Sequence, residues 1–123
     1  MQTTKDMNDF QQGVELYKSN LVAELREAKA KNHQAEVDRL TAEIDGVSLA
    51  LDYIRRFDPN DDFMSNLDEL VSDLARAIFT INFLADEATA KAHQAEADRL
   101  TWKAISIGAI AATADSIRFG DQR

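Results

Sequence analysis

Glu27-Ala28-Lys29-Ala30-Lys31-Asn32-His33-Gln34-Ala35-Glu36-Val37-Asp38-Arg39-Leu40-Thr41 returns sixty residues later as Glu87-Ala88-Thr89-Ala90-Lys91-Ala92-His93-Gln94-Ala95-Glu96-Ala97-Asp98-Arg99-Leu100-Thr101. Twelve of the fifteen positions are identical, which chance does not produce in a chain of 123 residues. The segment therefore reads as an internal repeat. Upstream of its centre, Phe10, Val14, Tyr17, Leu21, Leu25 and Ala28 recur every three or four residues, which is one face of a helix. Downstream, Val37, Leu40, Ile44, Val47, Leu51 and Ile54 follow the heptad spacing of bundle helices. Val37 comes about two and a half turns after Ala28, so one continuous helix would put the two stripes on opposite sides. A turn at Asn32-His33 removes that conflict, and Asn32 is a suitable cap.

Moved by sixty, the first stripe becomes Leu70, Leu74, Ala77, Ile81, Ala85 and Ala88. The second becomes Ala97, Leu100, Ala104, Ile107, Ala111 and Ala114. Every one of these is apolar. The pattern predicts two helical hairpins, at about 4–57 and about 62–119, with Thr3 or Thr4 capping the first helix. Asp58-Pro59 ends the second helix, because proline cannot continue its hydrogen-bond ladder. A lone hairpin cannot bury its stripe, so the two pack together. The expected fold is all-α: an antiparallel four-helix bundle built from two duplicated hairpins, with residues 1–123 forming a single helical domain.

Composition narrows the function. There is no cysteine, which removes disulfides, thiolate metal sites and cysteine nucleophiles. Only 5 residues of 123 are Gly or Pro, against the habits of a turn-rich β-sandwich or a disordered chain. The 22 acids outnumber the 14 bases for a net charge of −8, opposite to that of a general nucleic-acid binder. The N-terminus has no signal-like apolar core, and the uncharged stretch Ala104–Ala114 is too short to span a bilayer. The expectation is a cytoplasmic protein that binds neither membrane nor nucleic acid directly.

The charge is concentrated. Residues 57–90 carry eight acids and one base, Arg76, for −7 of the total −8. This one-sided field suits a basic partner, whose approach it would steer. Asp58, Asp61, Asp62, Asp68, Glu69 and Asp73 are the candidate partner-binding residues. Solubility and helix N-terminal acids are the plainer explanation of the same charges.

The last helix departs from its repeat equivalent. Trp102, Ile105, Ala109 and Ala112 share a second face where the other copy has Ala42, Asp45, Leu49 and Asp52. An apolar face of this kind either lies centrally in a skewed bundle or meets another chain. With Gly108 and Ala112 small enough for close approach, these residues are the candidate self-association face of a homodimer.

Three chemical patterns compete with this reading. His33 and Glu36 recur as His93 and Glu96, a spacing that could serve a di-metal carboxylate bundle. The order is reversed from the usual Glu-x-x-His, and the pairs sit at turns. Asp58, Asn60, Asp62, Met64, Asn66 and Glu69 follow a calcium-loop spacing, but Phe63 stands where the turn needs glycine. Glu24-Leu25-Arg26-Glu27 supplies only half of the paired motif of all-α nucleotide pyrophosphohydrolases. No triad or phosphate-cradling glycine loop is evident. The expected function is a non-catalytic, acidic protein-interaction module that needs no cofactor. It would act as an inhibitor or adaptor on a basic surface of a nucleic-acid-handling protein, by analogy with small acidic proteins of phage and mobile elements. A metal-dependent all-α enzyme is the alternative.

Overall fold

The computed structural model describes residues 6–120. They form four helices: α1 (Met7–Ala30), α2 (Gln34–Ile54), α3 (Phe63–Ala90) and α4 (Gln94–Gly120). No strand occurs among the described residues. The all-α four-helix expectation therefore holds.

The helix ends follow from local chemistry. Asp6 caps α1, its carboxylate accepting the Asp9 backbone N–H at 2.9 Å. The expected caps Thr3 and Thr4 lie outside the described residues. Asp62 caps α3 in the same way, accepting from the Ser65 N–H at 3.0 Å. Both hairpin turns have one geometry. Asn32 and Ala92 take left-handed backbone angles, with φ of 58° and 60°. The Asn32 N–H donates to the Lys29 carbonyl and the His33 N–H to the Ala28 carbonyl. The equivalents, Ala92 to Thr89 and His93 to Ala88, repeat the pattern. This is the paired closure of a Schellman motif, which satisfies helix-end carbonyls that would otherwise be orphaned. Asn32 thus ends α1 instead of starting α2.

Each hairpin packs on itself, α1 on α2 and α3 on α4. The hairpins meet mainly through α2 and α4, which leaves α1 and α3 outermost. Residues 35–42 of α2 and 95–102 of α4 line one common cleft, so the two central helices run in the same direction. The arrangement is an up-down-up-down bundle compressed along one diagonal.

That compression depends on one residue. A Cβ on Gly46 would lie 2.0 Å from Ser106 Oγ and 2.5 Å from the Lys103 carbonyl oxygen. Ser106 is the repeat equivalent of Gly46, so the two copies approach each other at matching positions. Ala42 and Ala50, one turn to either side of Gly46, are fully buried, as are Ser106 and Ile110 opposite. This small-residue seam is a second buried face of α2. The first, Leu40, Val47, Leu51 and Ile54, is the buried part of the heptad stripe, with Val37 and Ile44 half-buried at its margin. Phe10, Val14, Leu21 and Ala28 of α1 and Leu70, Leu74, Ile81, Ala85 and Ala88 of α3 are buried as their periodicity predicts. No buried side-chain polar atom among the described residues lacks a partner.

Candidate interaction surfaces

The acidic candidates lie on the loop into α3 and along its first half, and they are not equivalent. The Asp58 carboxylate accepts from the Asn60 N–H at 2.9 Å, and its carbonyl accepts from Asn66 Nδ2 at 3.1 Å. Asn66 is buried, so this bond ties the loop to α3. Asp62 is spent on the helix cap. Asp68 pairs with Arg118 of α4 at 3.2 Å, and Asp73 pairs with Arg76 one turn on. Asp61 and Glu69 are exposed and make no ion pair among the described residues. The acidic field is real as a sum, but only part of it is free to meet a partner.

Trp102, Ile105, Ala109 and Ala112 are all exposed on one side of α4. The central position of α4 and its apolar outer face are therefore both true: α4 packs on α2 and α3 and still shows this strip. Ile105 is 51% exposed. Trp102, 36% exposed, lies under the Arg39 guanidinium of α2, 5.5 Å from the ring centroid. Gly108 does not belong to the strip. Its missing Cβ would point toward Ile78 Cδ1 of α3, at 4.0 Å.

The strip borders a groove of about 390 Å³ between α1 and α4, lined by Asp9, Phe10, Gly13, Val14 and Tyr17 opposite Ala109, Ile110, Thr113 and Ile117. Space remains over Gly13, where an added Cβ would meet nothing within 4 Å. Leu16, 63% exposed, stands on the rim beside it. Burial in the groove wall, with Glu43 and Glu24 nearby, raises the Tyr17 phenol above its ordinary value.

A further apolar pair escaped the sequence reading. Phe79 and Phe83 are 75% and 56% exposed, one turn apart on the side of α3 that faces away from the core. Leu84 beside them is exposed as well. Their repeat equivalents on α1 are Ser19 and Ala23, and that comparison is the signal that would have found them.

The metal-type patterns are used otherwise. Arg39 holds Glu36 at 2.7 Å and Glu43 at 2.8 Å, within its own helix. Arg99 holds Glu96 in the equivalent place, its Nε donating at 3.1 Å. These hydrogen bonds draw Glu36 and Glu96 below the ordinary carboxylate range. His33 and His93 sit in the hairpin turns and donate backbone N–H groups to close them. Glu27 is held by Lys31 at 2.7 Å, which lowers its pKa too. Among the described residues, no three His, Asp or Glu side chains come together as metal ligands would. Of the calcium-loop positions, Asp58, Asp62 and Asn66 are engaged in the loop's own bonds.

No protein-family model, curated protein or solved structure matches the chain.

Proposed function

We propose that this chain is a non-catalytic protein-interaction module, an inhibitor or adaptor that docks on a basic protein surface. The observation that carries this reading is the −7 held by residues 57–90. Those residues form the loop and outer helix α3, whose outward side no other helix covers. A field of that kind accelerates encounter with a positive surface and weakens with added salt. A basic nucleic-acid-handling protein fits such chemistry, by the analogy drawn from the sequence, and the setting we propose is cytoplasmic. No helix among the described residues is long and apolar enough to cross a membrane.

Asp61 and Glu69 are the residues with which to test it. Reversing Asp62 would also remove the α3 cap, and reversing Asp68 would break its pair with Arg118. Asp61→Lys with Glu69→Lys should leave the melting temperature nearly unchanged. The same pair should weaken binding to a lysine-rich helical peptide by about tenfold or more at low salt. Affinity that ignores both this double change and the salt concentration would remove the electrostatic reading.

The exposed α4 strip favours a second feature, self-association. Trp102, Ile105, Ala109 and Ala112 form an uncharged face on an acidic molecule, continuous with the α1–α4 groove. A two-fold contact there would bring together the surfaces least opposed by charge, and one face meeting its own copy closes a dimer.

A further inference from the structure

We propose that Phe79 and Phe83 are the apolar anchor by which α3 holds a basic amphipathic helix of a partner protein. This inference rests on the docking function above and names its contact point. Two exposed phenylalanines one turn apart present a single apolar site. The fold does not require them, since the outermost side of α1 manages with Ser19 and Ala23 at the equivalent positions. Interfaces concentrate their energy in a few aromatic anchors of this kind, ringed by polar groups. Acids lie along the helix on either side of the pair. Asp86 and Glu87 follow Phe83 within about one turn, both exposed, while the exposed Glu69 and Asp61 lie further off, about 15 Å or more before Phe79 on the same helix and its leading loop. The one base of the stretch, Arg76, is already paired with Asp73.

The charge selects the occupant. A second copy laid on this site would bring another −7 against the first. An anionic membrane surface would be repelled in the same way. A helix with leucines on one face and lysines or arginines beside them satisfies both the rings and the acids. Helix-in-groove recognition uses anchors at i and i+3 or i+4 in this manner. Phenylalanine faces also attract guanidinium groups.

The probe is a synthetic lysine–leucine amphipathic helical peptide, with a control of the same charge in which serine replaces every leucine. Wild type should bind the leucine peptide at least about tenfold more tightly than the control. Phe79→Ser with Phe83→Ala, the residues of the other repeat, should erase that preference while helicity and melting temperature hold. Amide shifts on peptide addition should centre on residues 76–87. Equal binding of both peptides, lost on charge reversal at Asp61 and Glu69 but indifferent to the phenylalanine changes, would overturn the anchor and leave the acidic docking reading standing. Phenylalanine-dependent binding that ignores salt and charge reversal would overturn the basic partner and the docking reading together. A wild type that sediments as a dimer, and becomes monomeric when these phenylalanines are replaced, would assign the site to a second copy.

Discussion

The two grooves flanking the central helices occupy equivalent places and have opposite characters. Between α1 and α4 the walls are Gly13 and Tyr17 against Ala109 and Thr113. Between α2 and α3 the equivalent positions are Asp73 and Ala77 against Leu49 and Tyr53. On the rims, Leu16 corresponds to Arg76, while Ile105 and Ala112 correspond to Asp45 and Asp52. The α2–α3 groove carries Asp73 and Arg76 among its lining residues. The α1–α4 groove has one charged lining residue, Asp9, and uncharged side chains along the rest. Since both rest on similar helix pairs, the bundle does not dictate the difference. The α2–α3 groove carries Asp73 where the α1–α4 groove has Gly13, so the open space over Gly13 is not a demand of folding.

The largest expected effect comes from removing that difference. Ile105→Asp with Ala112→Asp gives α4 the rim of α2. Both residues are exposed, so the fold should survive with a stability change within about 0.5 kcal/mol. The proposed dimer should not survive. Two carboxylates per chain put four into an apolar two-fold contact, and desolvating them should weaken association by about 3 kcal/mol or more. Sedimentation equilibrium of wild type and variant measures this. A wild type that stays monomeric at millimolar concentration would mean that the open groove does not serve self-association.

The same comparison explains what was legible in the sequence. The repeat and the spacing of large apolar residues led to four helices and to stripes whose centres are buried, as at Leu51, Leu70 and Ile107. The α2–α4 seam was invisible. Gly46, Ala42 and Ser106 carry little hydrophobic signal, yet close helix approach requires small side chains, so a contact as close as this one leaves little mark in the sequence. Arg39 bridges Glu36 and Glu43 and covers Trp102, a contact between α2 and α4 that spacing along one helix cannot reveal. The acidic stretch was plain by counting, but the separate duties of Asp58, Asp62 and Asp68 depend on which atoms the fold brings near. Phe79 and Phe83 were obscured by a reading that sought only the stripe facing inward.

An intermediate effect is expected at the seam. Gly46→Ala puts a methyl group against Ser106 Oγ and, behind it, against the Lys103 backbone. The hydroxyl can rotate away, but the carbonyl belongs to a helix that must shift. Overpacking of this kind costs about 1–3 kcal/mol. Adding Ser106→Gly should restore only part of the loss, because the nearer of the two obstacles is then gone and the backbone one remains. Ser106 is buried and donates to the Lys103 carbonyl at 2.9 Å, so the single Ser106→Gly variant supplies the reference for a double-mutant cycle. If Gly46→Ala melts with wild type, the two hairpins are not held at this distance. The comparison of grooves, which depends on that distance, would fail with it.

The smallest effect separates the two turns. Asn32 and Ala92 hold the same left-handed angle and the same pair of closing hydrogen bonds, but only one of them suits it. A left-handed residue with a β-carbon costs roughly 1–2 kcal/mol, and asparagine tolerates the conformation far better than alanine. Ala92→Asn should therefore stabilise the chain by about 0.5–1 kcal/mol, a rise of a few degrees in melting temperature. Asn32→Ala should lower it by a similar amount. The two changes lie in different hairpins, so the double variant, which exchanges the turn residues, should melt close to wild type. Thermal unfolding followed by circular dichroism resolves shifts of this size. Equal and opposite shifts would establish that the turns are energetically interchangeable, and that what distinguishes the two halves of the molecule lies on their surfaces. A rise at Ala92 without a matching fall at Asn32 would instead place part of the asymmetry in the hairpins themselves, with the first turn held by contacts beyond its own hydrogen bonds.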